Sequence, residues 1–162
     1  MLVTERCRHP RLQPVAGFTI VQVVACMAIL GILAAVAIPG YRGFIERARR
    51  ARAIAQVAEI EIAITEYAAA NTGQMPASLA MIGYADSEDP WGEPIYFVDL
   101  TLGASPRVDA DGVAVNTDYD LYSAGADGAT SLSLNADVSR DDILRASDGG
   151  FVGMAADYGR LE

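Results

Sequence analysis

Hydrophobic and polar positions follow different rules in successive parts of this chain. Residues 18–38, FTIVQVVACMAILGILAAVAI, carry no formal charge. At about 1.5 Å per residue they make a helix of roughly 31 Å, matching a bilayer core of about 30 Å. A soluble helix has a polar face; this one is apolar all round, which predicts a membrane span. From residue 54 the rule changes. Ile54, Val57, Ile60, Ile64 and Tyr67 recur at three- and four-residue spacing, with Glu59 and Glu66 largely off the stripe. Asn71-Thr72-Gly73 supplies a stop. The pattern predicts one long helix, residues 18–71, with a membrane half, an amphipathic half and Pro39 as a point of kinking.

The amphipathic stripe needs a partner, and the rest of the chain must supply it. Residues 74–83 read as a loop and a short helix with Pro76 near its start, and Asp89-Pro90-Trp91-Gly92-Glu93-Pro94 reads as a turn cluster with Trp91 as its packed anchor. Ile95-Tyr96-Phe97-Val98, Val113-Ala114-Val115 and Tyr119-Asp120-Leu121-Tyr122 are the strand candidates. A small antiparallel sheet packed on the helical stripe gives an α+β fold.

Charge sharpens this division. The chain has 162 residues and a formal net charge of −9. Residues 1–52 hold 8 Arg against 2 acids, a balance of +6, and residues 53–162 hold 4 Arg against 19 acids, a balance of −15. A basic, apolar head on an acidic body argues against nucleic acid as a partner, because phosphate contacts need clustered cations on the folded domain. The only His is His9 and the only Cys are Cys7 and Cys26. Nothing beyond residue 26 can supply a His base, a thiol nucleophile, a zinc site or an internal disulfide. That removes most enzyme classes, an anchored hydrolase included.

A secretory signal peptide would place a short apolar run before a small-residue cleavage site. Here the order is inverted: a charged start with Pro10 and Pro14 ends in Val15-Ala16-Gly17, and the apolar run begins at Phe18. Gly17-Phe18-Thr19-Ile20-Val21-Gln22, with the helix that follows to Ala37-Ile38-Pro39-Gly40-Tyr41, resembles the leader and N-terminal helix of type IV pilins and type II secretion pseudopilins. The resemblance implies cleavage after Gly17 by a prepilin peptidase and N-methylation of Phe18. It implies three parts: a cleaved leader, residues 1–17; a transmembrane and assembly helix with its extension, 18–52; and a periplasmic globular domain, 53–162. It also places the C-terminal side outside the inner membrane, although Arg42, Arg47, Arg49, Arg50 and Arg52 after the span would by count alone suggest the cytoplasm. Gln22 departs from the family, which has Glu there to pair with the amine of an adjacent subunit. Gln accepts a hydrogen bond but cannot neutralise that charge.

The resemblance narrows further along. Residues 71–76 (NTGQMP), 89–96 (DPWGEPIY) and 119–128 (YDLYSAGADG) look like the ordered blocks of the major, G-type pseudopilin. That family's loop binds Ca²⁺, a hard cation needing six to eight oxygen donors. Carried over by position, Asp127 is a side-chain ligand, Ala124 with Leu121 or Ser123 offers further oxygen, and Asp137 or alternatively Asn135 closes the site. Residues 129–134 (ATSLSL) depart from the usual polar, Gly-rich loop, and 139–162 lie outside the resemblance. The pairs Asp118/Asp120 and Asp141/Asp142 read as surface acids, and Asp109-Ala110-Asp111-Gly112 as a turn lacking the rest of an EF-hand. The function implied is a structural subunit of a periplasmic pseudopilus, working with copies of itself, minor pseudopilins, the prepilin peptidase and the inner-membrane secretion platform. The alternatives are a type IV pilus subunit and a membrane-tethered calcium-binding protein that never polymerises.

Overall fold

The computed structural model describes residues 17–159; the stretch before Gly17 that was expected to be a leader, with Cys7 and His9, lies outside the described residues. The chain divides into two compact units, Met1–Arg42 and Gly43–Glu162. One α-helix, α1, Ile20–Ala70, contributes 51 residues and includes Pro39. In the first unit every described residue is exposed. This is the part of α1 long and apolar enough to cross a membrane.

The second unit is a helix on a sheet. The rest of α1 buries Ala53, Val57, Ile60 and Ile64, so the stripe expected from the periodicity is the one that packs. The helix ends where Asn71-Thr72-Gly73 was expected to stop it. The Gly73 N–H donates to the Ala68 carbonyl at 2.8 Å, the six-to-one bond of a Schellman cap, and Thr72 takes a left-handed φ of +57° to make it.

Four strands follow: β1, Tyr96–Asp99; β2, Tyr119–Ser123; β3, Ile143–Ala146; and β4, Phe151–Met154. They form an antiparallel meander in the order β1-β2-β3-β4. The registers place Phe97 opposite Leu121, Ser123 opposite Ile143, and Arg145 opposite Val152. Strand alternation then sorts the side chains. Tyr119, Leu121 and Ile143 face the helix and close the main core with Leu79 and Ile95, with Val152 and Met154 packed against it. Leu144 and Ala146 face outward into a second core with Val115, Leu134 and Ala155. Loop segments therefore cover the sheet's outer face, giving three layers.

Three expectations change here. Residues 139–162, which no pattern accounted for, supply β3 and β4, half of the sheet. Val113-Ala114-Val115 is not a strand: Ala114 makes a lone bridge to Val108, across the Asp109–Gly112 turn that the sequence did suggest. Asp120 and Asp142 are not surface acids but buried, at 2% and 0% exposure, because the outer loop layer brings hydrogen-bond donors to them.

Arg145 shows how the sheet and helix are tied together. It points inward from β3 and is 4% exposed. Its Nε donates to Glu61 Oε1 on α1 at 2.9 Å, and its two terminal nitrogens grip both oxygens of Asp118 at 2.7 and 2.8 Å. The guanidinium carbon lies 4.0 Å from the centre of the Tyr119 ring. Such planar, bidentate pairing is what guanidinium offers and ammonium does not. The same helix grips the loop before β1 along its polar flanks: Gln56 donates to the Glu88 carbonyl, the Tyr84 hydroxyl donates to Glu59, and the Trp91 indole donates to Glu46. Trp91 packs against the main core, as expected of an anchor.

Candidate functional site

Two features carry the candidate chemistry: the start of α1 and the loop between β2 and β3. At the start of α1, Gly17, Phe18 and Thr19 precede the first helical residue, Ile20. Thr19 accepts the first intrahelical bond from the Val23 N–H. Its hydroxyl accepts from the Gln22 N–H at 3.3 Å, and the Gln22 side-chain oxygen accepts from the Thr19 N–H at 2.9 Å. This is a reciprocal capping box, in which Thr at the cap and Gln three residues later satisfy two otherwise orphaned donors. The T-x-x-Q spacing of Thr19 and Gln22 is a capping-box signature present in the sequence itself. The Gly17–Phe18 bond lies outside the helix, with Phe18 85% exposed. Large apolar side chains follow along the first unit, among them Val21, Met27, Leu30, Ile32 and Val36, all exposed. Cys26 is a free, exposed thiol among them.

The loop after β2 is packed more tightly than its composition suggests. Gly125 has φ of +71°, and a Cβ there would lie 2.5 Å from the Asp141 carbonyl oxygen. Only glycine allows that approach. The Asp141 carboxylate accepts from the backbone N–H groups of Ala126 and Asp127 at 2.8 and 3.2 Å. Ser139 Oγ accepts from the Ser131 N–H at 2.9 Å and donates to the Ser131 carbonyl. Ser123 Oγ donates to Asp89 and accepts from the Gly125 N–H. Asp89 in turn accepts from Trp91 and Glu93 N–H, which fixes the turn cluster.

The residues expected to hold calcium sit in different surroundings. Asp127 turns its carboxylate to the Ala129 N–H at 2.8 Å. Asp137 is 97% exposed and lies 3.7 Å from Arg140. Asn135 is exposed, while Leu121, Ser123 and Ala124 are buried, Leu121 in the ladder with β1 and Ser123 bonded to Asp89. Among the described residues no three carboxylate, His or Cys side chains gather into a set able to hold a metal. The Ala126 and Asp127 N–H groups are turned to the Asp141 carboxylate. Asp141 and Asp142 meet partners twelve or more positions away, so the pair on its own reads as surface acid.

A half-open cavity of about 580 Å³ is lined by Asp109, Asn135, Arg140, Phe151 and Tyr158 among others. Its Asp109 carboxylate is occupied by the Asp111 and Val113 N–H groups. Phe151 and Tyr158 meet edge to face.

No family model matches the chain, and no solved structure matches it. Among curated proteins it is 30% identical over 136 residues to one named Fimbrial protein, from Neisseria meningitidis. The matched region covers 82% of this chain and 79% of that protein.

Proposed function

The chain belongs to the type IV pilin-like family, and from that premise we propose that it is a structural subunit of a helical filament, held in the inner membrane before assembly by the first part of α1. The observation that carries this reading is the exposure of every described residue from Gly17 to Arg42, nearly all of them apolar, at the start of a helix whose later turns are buried against a sheet. Such a surface needs lipid or the same helix of neighbouring subunits around it. The small residues Gly31, Ala34, Ala35 and Ala37 favour close approach of those helices. The role is mechanical, so no residue is assigned to catalysis. Prepilin peptidase would cut between Gly17 and Phe18, just ahead of the first helical residue, and the globular domain would face the periplasm.

Within this family the reading taken is a pseudopilus subunit that drives protein export through a type II secretion system, alongside minor pseudopilins and the inner-membrane platform. The three ordered blocks at 71–76, 89–96 and 119–128 support it, as does a globular part with no cysteine. The fimbrial relative favours a second reading, a subunit of an external type IV pilus. Deleting the chain's coding sequence separates them. The pseudopilus reading expects exported proteins to accumulate in the periplasm while surface filaments persist. Loss of surface filaments with export intact would favour the pilus.

A further inference from the structure

The loop between β2 and β3 is organised around a positive charge that the protein itself provides. Arg107 comes from the outer loop layer and is 3% exposed. Its backbone N–H donates to Asp120 Oδ2 on β2 at 2.9 Å. Its side chain then runs along the sheet, with the guanidinium carbon 4.2 Å from the centre of the Tyr122 ring. At its tip, Nη2 donates to Asp142 Oδ2 at the start of β3, and Nη1 donates to Thr130 Oγ1 at 2.8 Å. The Thr130 hydroxyl donates to the same Asp142 oxygen at 2.7 Å. One guanidinium thus joins the cover before β2 to two points of the β2–β3 loop, Thr130 in its course and Asp142 at its end beside β3.

We infer that the Arg107 guanidinium is the cation that closes this loop, so that the stretch from Ala124 to Asp142 holds its shape without a bound metal ion. The carboxylates divide accordingly. Asp142, fully buried, is taken by Arg107 and Thr130; Asp141 is taken by the loop's own N–H groups; Asp127 accepts from the Ala129 N–H, and Asp137 lies beside the surface Arg140. A calcium ion would need several of these oxygens turned toward one point. Arg107 Nε and Asp142 Oδ1 have no hydrogen-bond partner among the described residues. The pair therefore uses one edge of each group and draws on the Tyr122 face for the rest, as a guanidinium in a dry site does.

Thermal melting of the full chain in detergent micelles, followed by far-UV circular dichroism in millimolar calcium and in EGTA, tests this. The wild-type chain is expected to melt at the same temperature in both. Arg107→Met, which strands a buried carboxylate, is expected to lower the midpoint by roughly 10 °C in both solutions. Thr130→Val removes a single hydroxyl, leaves the pair in place, and should lower it by a few degrees; it gives the same reading if the Arg107 variant does not accumulate as folded chain. A wild-type midpoint several degrees higher in calcium than in EGTA would overturn the inference, because a ligand that binds only the folded state must raise it. So would variants at Arg107 and Thr130 that melt like the wild type.

Discussion

Asp142 is a carboxyl group with no exposed surface, and burial pushes it up to about 6 against the opposing pull of Thr130 and Arg107. An unfolded Asp titrates near about 3.9. Between about pH 4 and about pH 6 the folded chain therefore holds this proton more often than the unfolded chain does. Stability contributed by this group falls as pH rises through that window, and stays at its lower value above it. Asp142→Asn removes the titration. The stability of the wild type relative to this variant should drop by up to about 3 kcal/mol on going from about pH 4 to about pH 7. Urea denaturation of both chains across that range checks it; parallel pH profiles would contradict it. Nothing near Asp142 in the sequence announces this environment. Arg107 is thirty-five positions away and Thr130 twelve, so Asp141-Asp142 reads as any acidic turn would. Asp120 is hidden in the same way by Arg107 and Asn116.

At the scale of elements, α1 was legible because both of its rules are local. An unbroken apolar run and a 3.6-residue stripe are properties of the segment alone, and Val57, Ile60 and Ile64 are buried as the spacing requires. β1 and β2 were legible for a related reason: Ile95-Tyr96-Phe97-Val98 is a short run of β-branched and aromatic residues, and Tyr119-Asp120-Leu121-Tyr122 alternates acid and apolar positions. β3 and β4 were not. The ILRA strand puts Arg145 on its inner face, and the FVGM strand has Gly153 on its outer one, so neither shows clean alternation. An inward Arg is stable here only because Glu61 and Asp118 meet it, and those partners belong to other elements. The start of α1 yields a prediction at this same scale. The Thr19–Gln22 box caps the helix within its own chain, and Glu at position 22 can make the same cap. In an assembled bundle a charged amine on Phe18 is costly unless a carboxylate meets it. Gln22→Glu is therefore expected to leave the helix start intact and increase the yield of filaments sheared from cells. An unchanged yield would show that the cap, and not the missing charge, is what matters at this position.

For the whole molecule, the parts make a consistent division of labour. Unpartnered apolar side chains are concentrated in the first unit, where lipid or other helices can cover them. The second unit buries its own apolar surface on both faces of the sheet and pins its long loops with the Arg107 and Arg145 ion pairs, with no disulfide available. Composition divides the chain at residue 52 into a basic, apolar head and an acidic body. The loop's internal cation was beyond its reach, because charge totals do not say which Arg meets which Asp. The central claim is that α1 packs against α1 of other subunits. Cys26 lies on that helix and is its only thiol, so crosslinking with a short bismaleimide in intact cells reads the contact directly. Covalent dimers of the chain that disappear in Cys26→Ser are the expected result. Recovery of monomer alone, in cells where the chain is processed and abundant, would contradict it.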